Sequence, residues 1–175
     1  MDEVTGFPLD RAAQLGLSLR PVHPDDMPFL SALYATTRAD ELAHTGWPEA
    51  TKSLFVVQQF TAQHKDYLRQ YPAADRMIVE RDGTAIGRLY VDWGGDDCHL
   101  IDITLLPAHC GQGFGAALLG DLQEHAVRLG KPLTLSVIAT NPARRLYERA
   151  GFRTAETGAL YNRMVWKPRR TLNSG

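Results

Sequence analysis

The sequence predicts one domain of mixed α/β class, on three observations. Its 175 residues suit a single domain large enough to bury a sizeable core. Its periodicity alternates between strand-like and helical in the order strand, two helices, three strands, helix, strand, helix, two strands. No repeat and no low-complexity linker divides that order. The domain is expected over residues 17–167, after an N-terminal tail of 1–16 without sustained period and before a basic, polar C-terminal tail of 168–175.

Leu17-Ser-Leu-Arg-Pro-Val22 alternates apolar and polar residues, as a half-buried strand does. His23-Pro24-Asp25-Asp26 sets a proline and two acids where a first helical turn favours them, and Phe29, Leu30, Leu33 and Tyr34 follow at helical spacing. Gly46 and Pro48 break the pattern within Asp40–Pro48. A second helix is expected from about Glu49 to Tyr71, carrying Leu54, Phe55, Val57, Phe60, Tyr67 and Leu68. Beyond Pro72 the spacing becomes strand-like, and Met77–Glu80 and Ala85–Trp93 flank the turn Arg81-Asp82-Gly83-Thr84 as a hairpin. After the turn Gly94–Asp97 comes a strand, Cys98–Leu106, stopped by Pro107. Gly113–Leu129 reads as an amphipathic helix, with Leu118, Leu122, Ala126 and Leu129 on one face and Gly130 as its stop. Leu133–Ile138 is a strand, Pro142–Ala150 a short helix closed by Gly151, and two strand-like runs surround Gly158.

Bulk properties exclude several function classes. Apolar residues at 44% and charged residues at 22% are those of a soluble globular domain. A formal net charge of −1 supplies no overall field for nucleic acid, so no nucleic-acid partner is expected. No stretch approaches the ~18 consecutive apolar residues of a membrane span, and Met1–Pro8 lacks the cationic-then-apolar pattern of a secretory signal. Cys98 and Cys110 fall in no metal-ligand spacing and do not make a disulfide framework. No metal is expected, and the expected location is the reducing cytoplasm.

The most informative segment is Pro107-Ala-His-Cys-Gly111-Gln-Gly113-Phe-Gly115-Ala116, which follows a strand and opens a helix. Without a Cβ the backbone can curl until several N–H groups converge on one anion. The helix adds unpaired N–H groups and the positive end of its dipole. Hydrogen bonds to a charged acceptor contribute roughly 1.5–3 kcal/mol each, so a few such donors can hold a diphosphate without lysine. The bland alternative is a tight glycine turn. Gly111-x-Gly113-x-x-Ala116 also matches a dinucleotide fingerprint, but the next strand runs into Ala139-Thr140-Asn141 with no acid for the ribose. No Gly-Lys-Ser/Thr follows, which removes the other common phosphate loop.

A second segment, Asn141-Pro-Ala-Arg-Arg-Leu-Tyr147-Glu-Arg-Ala-Gly151-Phe152, has an N-cap, a first-turn proline and a C-terminal glycine. Ala143, Leu146, Tyr147 and Ala150 share one face, so Tyr147 read alone is a core residue. Together the two segments resemble the GNAT superfamily of N-acetyltransferases. The acetyl-CoA loop of that family is matched by Cys110, Gly111, Gln112, Gly113, Phe114 and Gly115. Its following helix is matched by Asn141, Ala143, Tyr147, Glu148, Gly151 and Phe152. One position departs: the family's loop opens with Arg or Gln where this chain has Cys110.

The resemblance implies a central, mostly antiparallel twisted sheet flanked by helices, acetyl-CoA as cofactor, and direct acetyl transfer to a primary amine of a small molecule or peptide. It implies cofactor contacts at Leu105, Leu106, Cys110, Gly111, Gln112, Gly113, Phe114, Gly115, Ala116, Asn141 and Tyr147. Tyr147 corresponds to the family's donor to the leaving thiol. The base is expected at His99 on the strand before the loop, where some members carry one. Asp102 should face the other way under strict alternation unless a bulge re-aims it. A non-catalytic acyl-CoA sensor is the competing expectation, motivated by Cys110. Edges of the C-terminal strands would allow a homodimer, though no residue decides it.

Overall fold

A computed structural model describes residues 7–169 of the chain. Seven strands form one sheet in the order β1-β2-β3-β4-β5-β7-β6. They are β1 (Leu17–Pro21), β2 (Asp75–Arg81), β3 (Thr84–Asp92), β4 (Cys98–Leu105), β5 (Leu133–Ile138), β6 (Arg153–Thr157) and β7 (Tyr161–Trp166). All neighbours run antiparallel except β4 and β5. Those two are joined by a helical crossover, as a parallel pair requires.

The helices are α1 (Arg11–Gln14), α2 (Met27–Ala43), α3 (Glu49–Gln70), α4 (Phe114–Leu129) and α5 (Arg144–Arg149). One face of the sheet packs on α4 and α5, with Leu89, Leu100, Leu118, Leu122, Leu135 and Met164 in its core. The other face packs on α2 and α3 through Leu30, Tyr34, Phe60 and Ile78. No helix among the described residues is long and apolar enough to cross a membrane.

Two boundaries differ from expectation. Helix α2 runs on to Ala43, because Asp40 and Glu41 do not oppose a helix and the chain first departs at Gly46, whose φ is +69°. The described part of the expected N-terminal tail is packed. Phe7 sits against Trp93 and His125, and buried Asp121 of α4 accepts the backbone N–H groups of Arg11 and Ala12 at 3.0 and 2.9 Å. A single turn is too short to show a period, and only the tertiary partner makes it a helix. Residues 1–6 and 170–175 of the two expected tails lie outside the described residues.

Strand β4 carries the feature that arranges the site. Its register against β3 passes from Asp102 opposite Tyr90 to Leu100 opposite Val91, leaving Ile101 as the extra residue of a bulge. A one-residue slip exchanges the two faces of a strand. His99 and Asp102 therefore share the α3 side, although they are three positions apart.

Candidate active site

Strands β4 and β5 pair only over Cys98–Leu100 and Leu133–Leu135. Beyond that they diverge, and from Ile101 to Leu105 the β5 side of β4 has no strand partner. At the wide end stands the glycine turn. Gly111 and Gly113 adopt φ of +74° and +83°, a region that disfavours any residue with a Cβ. A Cβ at Gly115 would come within 3.1 Å of Leu146 Cδ2, so its glycine lets α5 approach α4.

The first α4 amide with a partner in the turn is that of Ala117, which donates to Gly113 O at 3.0 Å. From Gly111 to Ala116 no backbone N–H finds a partner among the described residues. These amides crowd the positive end of a four-turn helix, where an anion is favoured. A groove of about 830 Å³ opens beside them, lined by Leu105, Cys110, Gly111, Gly113, Gly115, Ala116 and, from α5 and its approach, Pro142, Ala143, Leu146 and Ala150. Size, apolar walls and a cradle of free amides fit a nucleotide-bearing thioester.

The remaining predicted contacts have other placements. Gln112 folds its amide back to Ala108 O at 2.9 Å. Phe114 is buried, with the Arg81 guanidinium 5.1 Å from its ring centroid. Leu106 donates its N–H to Ile86 O at 2.8 Å and accepts that of His109 at 2.9 Å, so its backbone is engaged internally. Cys110 Sγ lies 3.7 and 3.6 Å from the carbonyls of Leu105 and Leu106. Asn141 Oδ1 accepts the Ala143 N–H at 2.9 Å, which caps the approach to α5.

Tyr147 on α5 is buried, its ring meeting Phe152 edge-on at 5.9 Å. Its hydroxyl has no hydrogen-bond partner among the described residues. Burial pushes that phenol well above its usual range, and the negative charge of Asp102 pushes it further. The hydroxyl is thus a protonated donor within electrostatic reach of β4.

Asp102 belongs to a cluster that the sequence did not announce. Its Oδ2 accepts from Arg88 Nη2 at 2.7 Å and from Tyr67 OH at 3.3 Å, and its Oδ1 accepts from Thr104 Oγ1 at 2.6 Å. Arg88 also donates to Gln63 Oε1 at 2.8 Å. The ion pair is buried, with side-chain exposures of 4% for Arg88 and 12% for Asp102. Burial raises the Tyr67 hydroxyl above its ordinary pKa; Asp102 adds to the rise, Arg88 opposes it, and Tyr161 adds a smaller push. The available signal was an arginine at 88 inside an otherwise apolar strand run, Ile86–Val91.

His99 sits at the closed end of the divergence. Its Nδ1 is 2.9 Å from Thr134 Oγ1, and its ring stacks on Tyr71 at 5.4 Å. Burial lowers its pKa, opposed in part by Asp92, so the imidazole is neutral at pH 7. Because of the bulge, His99 and Asp102 stand opposite Asp92 and Tyr90, two strand residues or about 7 Å apart along the sheet.

Comparison with known proteins places this arrangement. Residues 38–152 match the model of the acetyltransferase (GNAT) family. No curated protein sequence matches the chain. Among solved structures, PaiA N-acetyltransferase of Thermoplasma acidophilum in complex with coenzyme A superposes with a TM-score of 0.67 at 15% identity, covering 87% of this chain and 99% of that one. An acetyltransferase of Thermus thermophilus gives 0.60 at 23%, covering 86% and 96%. Spermidine N-acetyltransferase of Vibrio cholerae, in complex with CoA and spermine, gives 0.59 at 19%, covering 87% and 95%. At these identities the likeness is one of fold.

Proposed function

Since the chain belongs to the acetyltransferase (GNAT) family, we propose that it is an acetyl-CoA-dependent N-acetyltransferase acting on a primary amine. The observation that carries this reading is the run of unpartnered amides from Gly111 to Ala116, facing a groove that ends at the divergence of β4 and β5.

Gly111–Ala116 would hold the pyrophosphate, and Leu105 with the α5 residues would line the path of the pantetheine arm. Acetyl-CoA supplies an activated acetyl thioester. In the transfer, a C–N bond forms to the acceptor amine and the C–S bond breaks; one proton leaves nitrogen and one reaches sulfur. Tyr147 donates its hydroxyl hydrogen bond to the departing sulfur, a role supported by its burial beside β4 and its raised pKa.

An amine like that of lysine has a pKa of about 10.4, so roughly one molecule in a few thousand is neutral at pH 7. Proton removal is therefore part of the catalysis. His99 is our candidate acceptor, reached through water along the α3 side of β4. Its support is the bulge that puts it on the face of Asp102, together with its neutrality.

Calorimetry with acetyl-CoA and a thiol-release assay over several amines test the reading. Binding followed by amine-dependent thiol release is expected. Binding without turnover of any amine would favour the sensor instead, and absence of binding would remove both.

A further inference from the structure

The groove of about 830 Å³ is longer than the amide cradle at its edge. Its α4 wall begins at Gly113 and reaches Gln123, which stands roughly 10 Å beyond Ala116 along the helix. Its α5 wall reaches Arg149 and Ala150, at the C-terminal end of that short helix. Gln123 donates its Nε2 to Ala150 O at 2.7 Å, which ties the two helices together beside Arg149.

Among the described residues that line the groove, Arg149 alone is charged. It is exposed and forms no ion pair among the described residues. The neighbouring cations are engaged or face elsewhere. Arg144 pairs with Glu148 at 2.9 Å, and Arg145 borders a separate hollow with Ala139 and Thr140. At the start of α4, the Arg81 guanidinium is held 5.1 Å from the Phe114 ring centroid. An unpaired guanidinium at one end of an otherwise uncharged groove favours an anion there.

Coenzyme A carries such an anion. Besides its diphosphate it bears a phosphomonoester on the ribose 3′-oxygen, with a charge of about −1.5 to −2 at pH 7. With the diphosphate on the amides of Gly111–Ala116, the pantetheine arm runs toward the divergence of β4 and β5. The adenosine half then leaves the cradle the other way, along the seam of α4 and α5.

We infer that Arg149 binds the ribose 3′-phosphate of the cofactor and makes the site selective for coenzyme A over its dephosphorylated form. This rests on the acetyltransferase reading above and adds a phosphomonoester subsite to it. A planar guanidinium takes two phosphate oxygens at once, whereas the amides of the cradle meet a group that both cofactors share. Because Arg149 is exposed, the selectivity falls as ionic strength rises.

Calorimetry with coenzyme A and with dephospho-coenzyme A tests the assignment without an acceptor amine. At low ionic strength the parent is expected to bind coenzyme A about tenfold more tightly, the low end for a charge-assisted hydrogen bond. Arg149→Gln should remove that difference while binding dephospho-coenzyme A as the parent does, which also shows that the variant is folded. Arg145→Gln should keep the difference. The assignment is overturned by a parent ratio below about twofold, by a ratio that survives in Arg149→Gln, or by one lost in Arg145→Gln. Each of these outcomes leaves the acetyltransferase reading standing. Failure of the parent to bind either cofactor strikes that reading itself, and the subsite with it.

Discussion

On the α4–α5 side of the sheet the site is made of backbone: amides from Gly111 to Ala116, contiguous in sequence and exposed by two left-handed glycines. On the α2–α3 side it is made of side chains, with Gln63, Tyr67, Arg88, Asp102 and Thr104 drawn from three elements into one buried network. The first half would bind an invariant chemical group with peptide groups that no substitution removes. The second can change with any of its side chains, which is where acceptor choice would be set. A substitution on the backbone side should act through conformation, one on the other side through charge and contact.

The largest expected effect breaks the side-chain half. Arg88→Met leaves Asp102 buried without its cation and should cost about 3–5 kcal/mol in urea unfolding. Replacing both partners, Arg88→Met with Asp102→Leu, should recover most of it. A single-variant cost below about 1 kcal/mol would mean the pair behaves as a solvated one. Next, Tyr147→Phe should lower kcat about a hundredfold with the Kd of acetyl-CoA unchanged; equal kcat would leave the tyrosine a packing residue.

Backbone substitutions should show a smaller, purely conformational cost. Gly113→Ala forces a Cβ into φ of +83° with nothing within 4 Å of it, so strain of about 1–2 kcal/mol is the only penalty. Acetyl-CoA should bind roughly 5–30-fold more weakly. Gly130→Ala, at the far end of α4 with φ of +67°, should lower Tm without touching that affinity. Asn141→Ala should cost about 1 kcal/mol by removing the cap before α5.

The smallest effect concerns pH. Burial holds the His99 pKa below its ordinary ~6.5. Its contribution to stability is therefore full above about pH 6.5 and is lost as pH falls through the lower folded value. His99→Gln should flatten that acid slope in denaturation. If His99 accepts the amine's proton, the same variant should also remove the acid limb of kcat/KM; a limb that stays would make the imidazole structural.

Legibility in the sequence followed the same division. The element order, the β5 span Leu133–Ile138 and the glycine cradle were all readable, because each depends on neighbours a few residues away. Tyr147 was readable as a core residue on a helix face, and there it packs against Phe152. Arg88 meets Asp102 across 14 residues and Tyr67 meets it across 35, and no local period encodes those meetings. The short α1 escaped for the same reason, since Asp121 lies 110 residues from Arg11.

By itself, then, the sequence determined the mixed α/β class, the family and the backbone cradle, because periodicity, caps and glycine conformation are local properties. Tertiary structure decided the Ile101 bulge, which placed His99 and Asp102 on one face. It also decided the Arg88–Asp102 pair. Strand register and helix coverage are settled by packing between distant segments, and a linear pattern does not carry them.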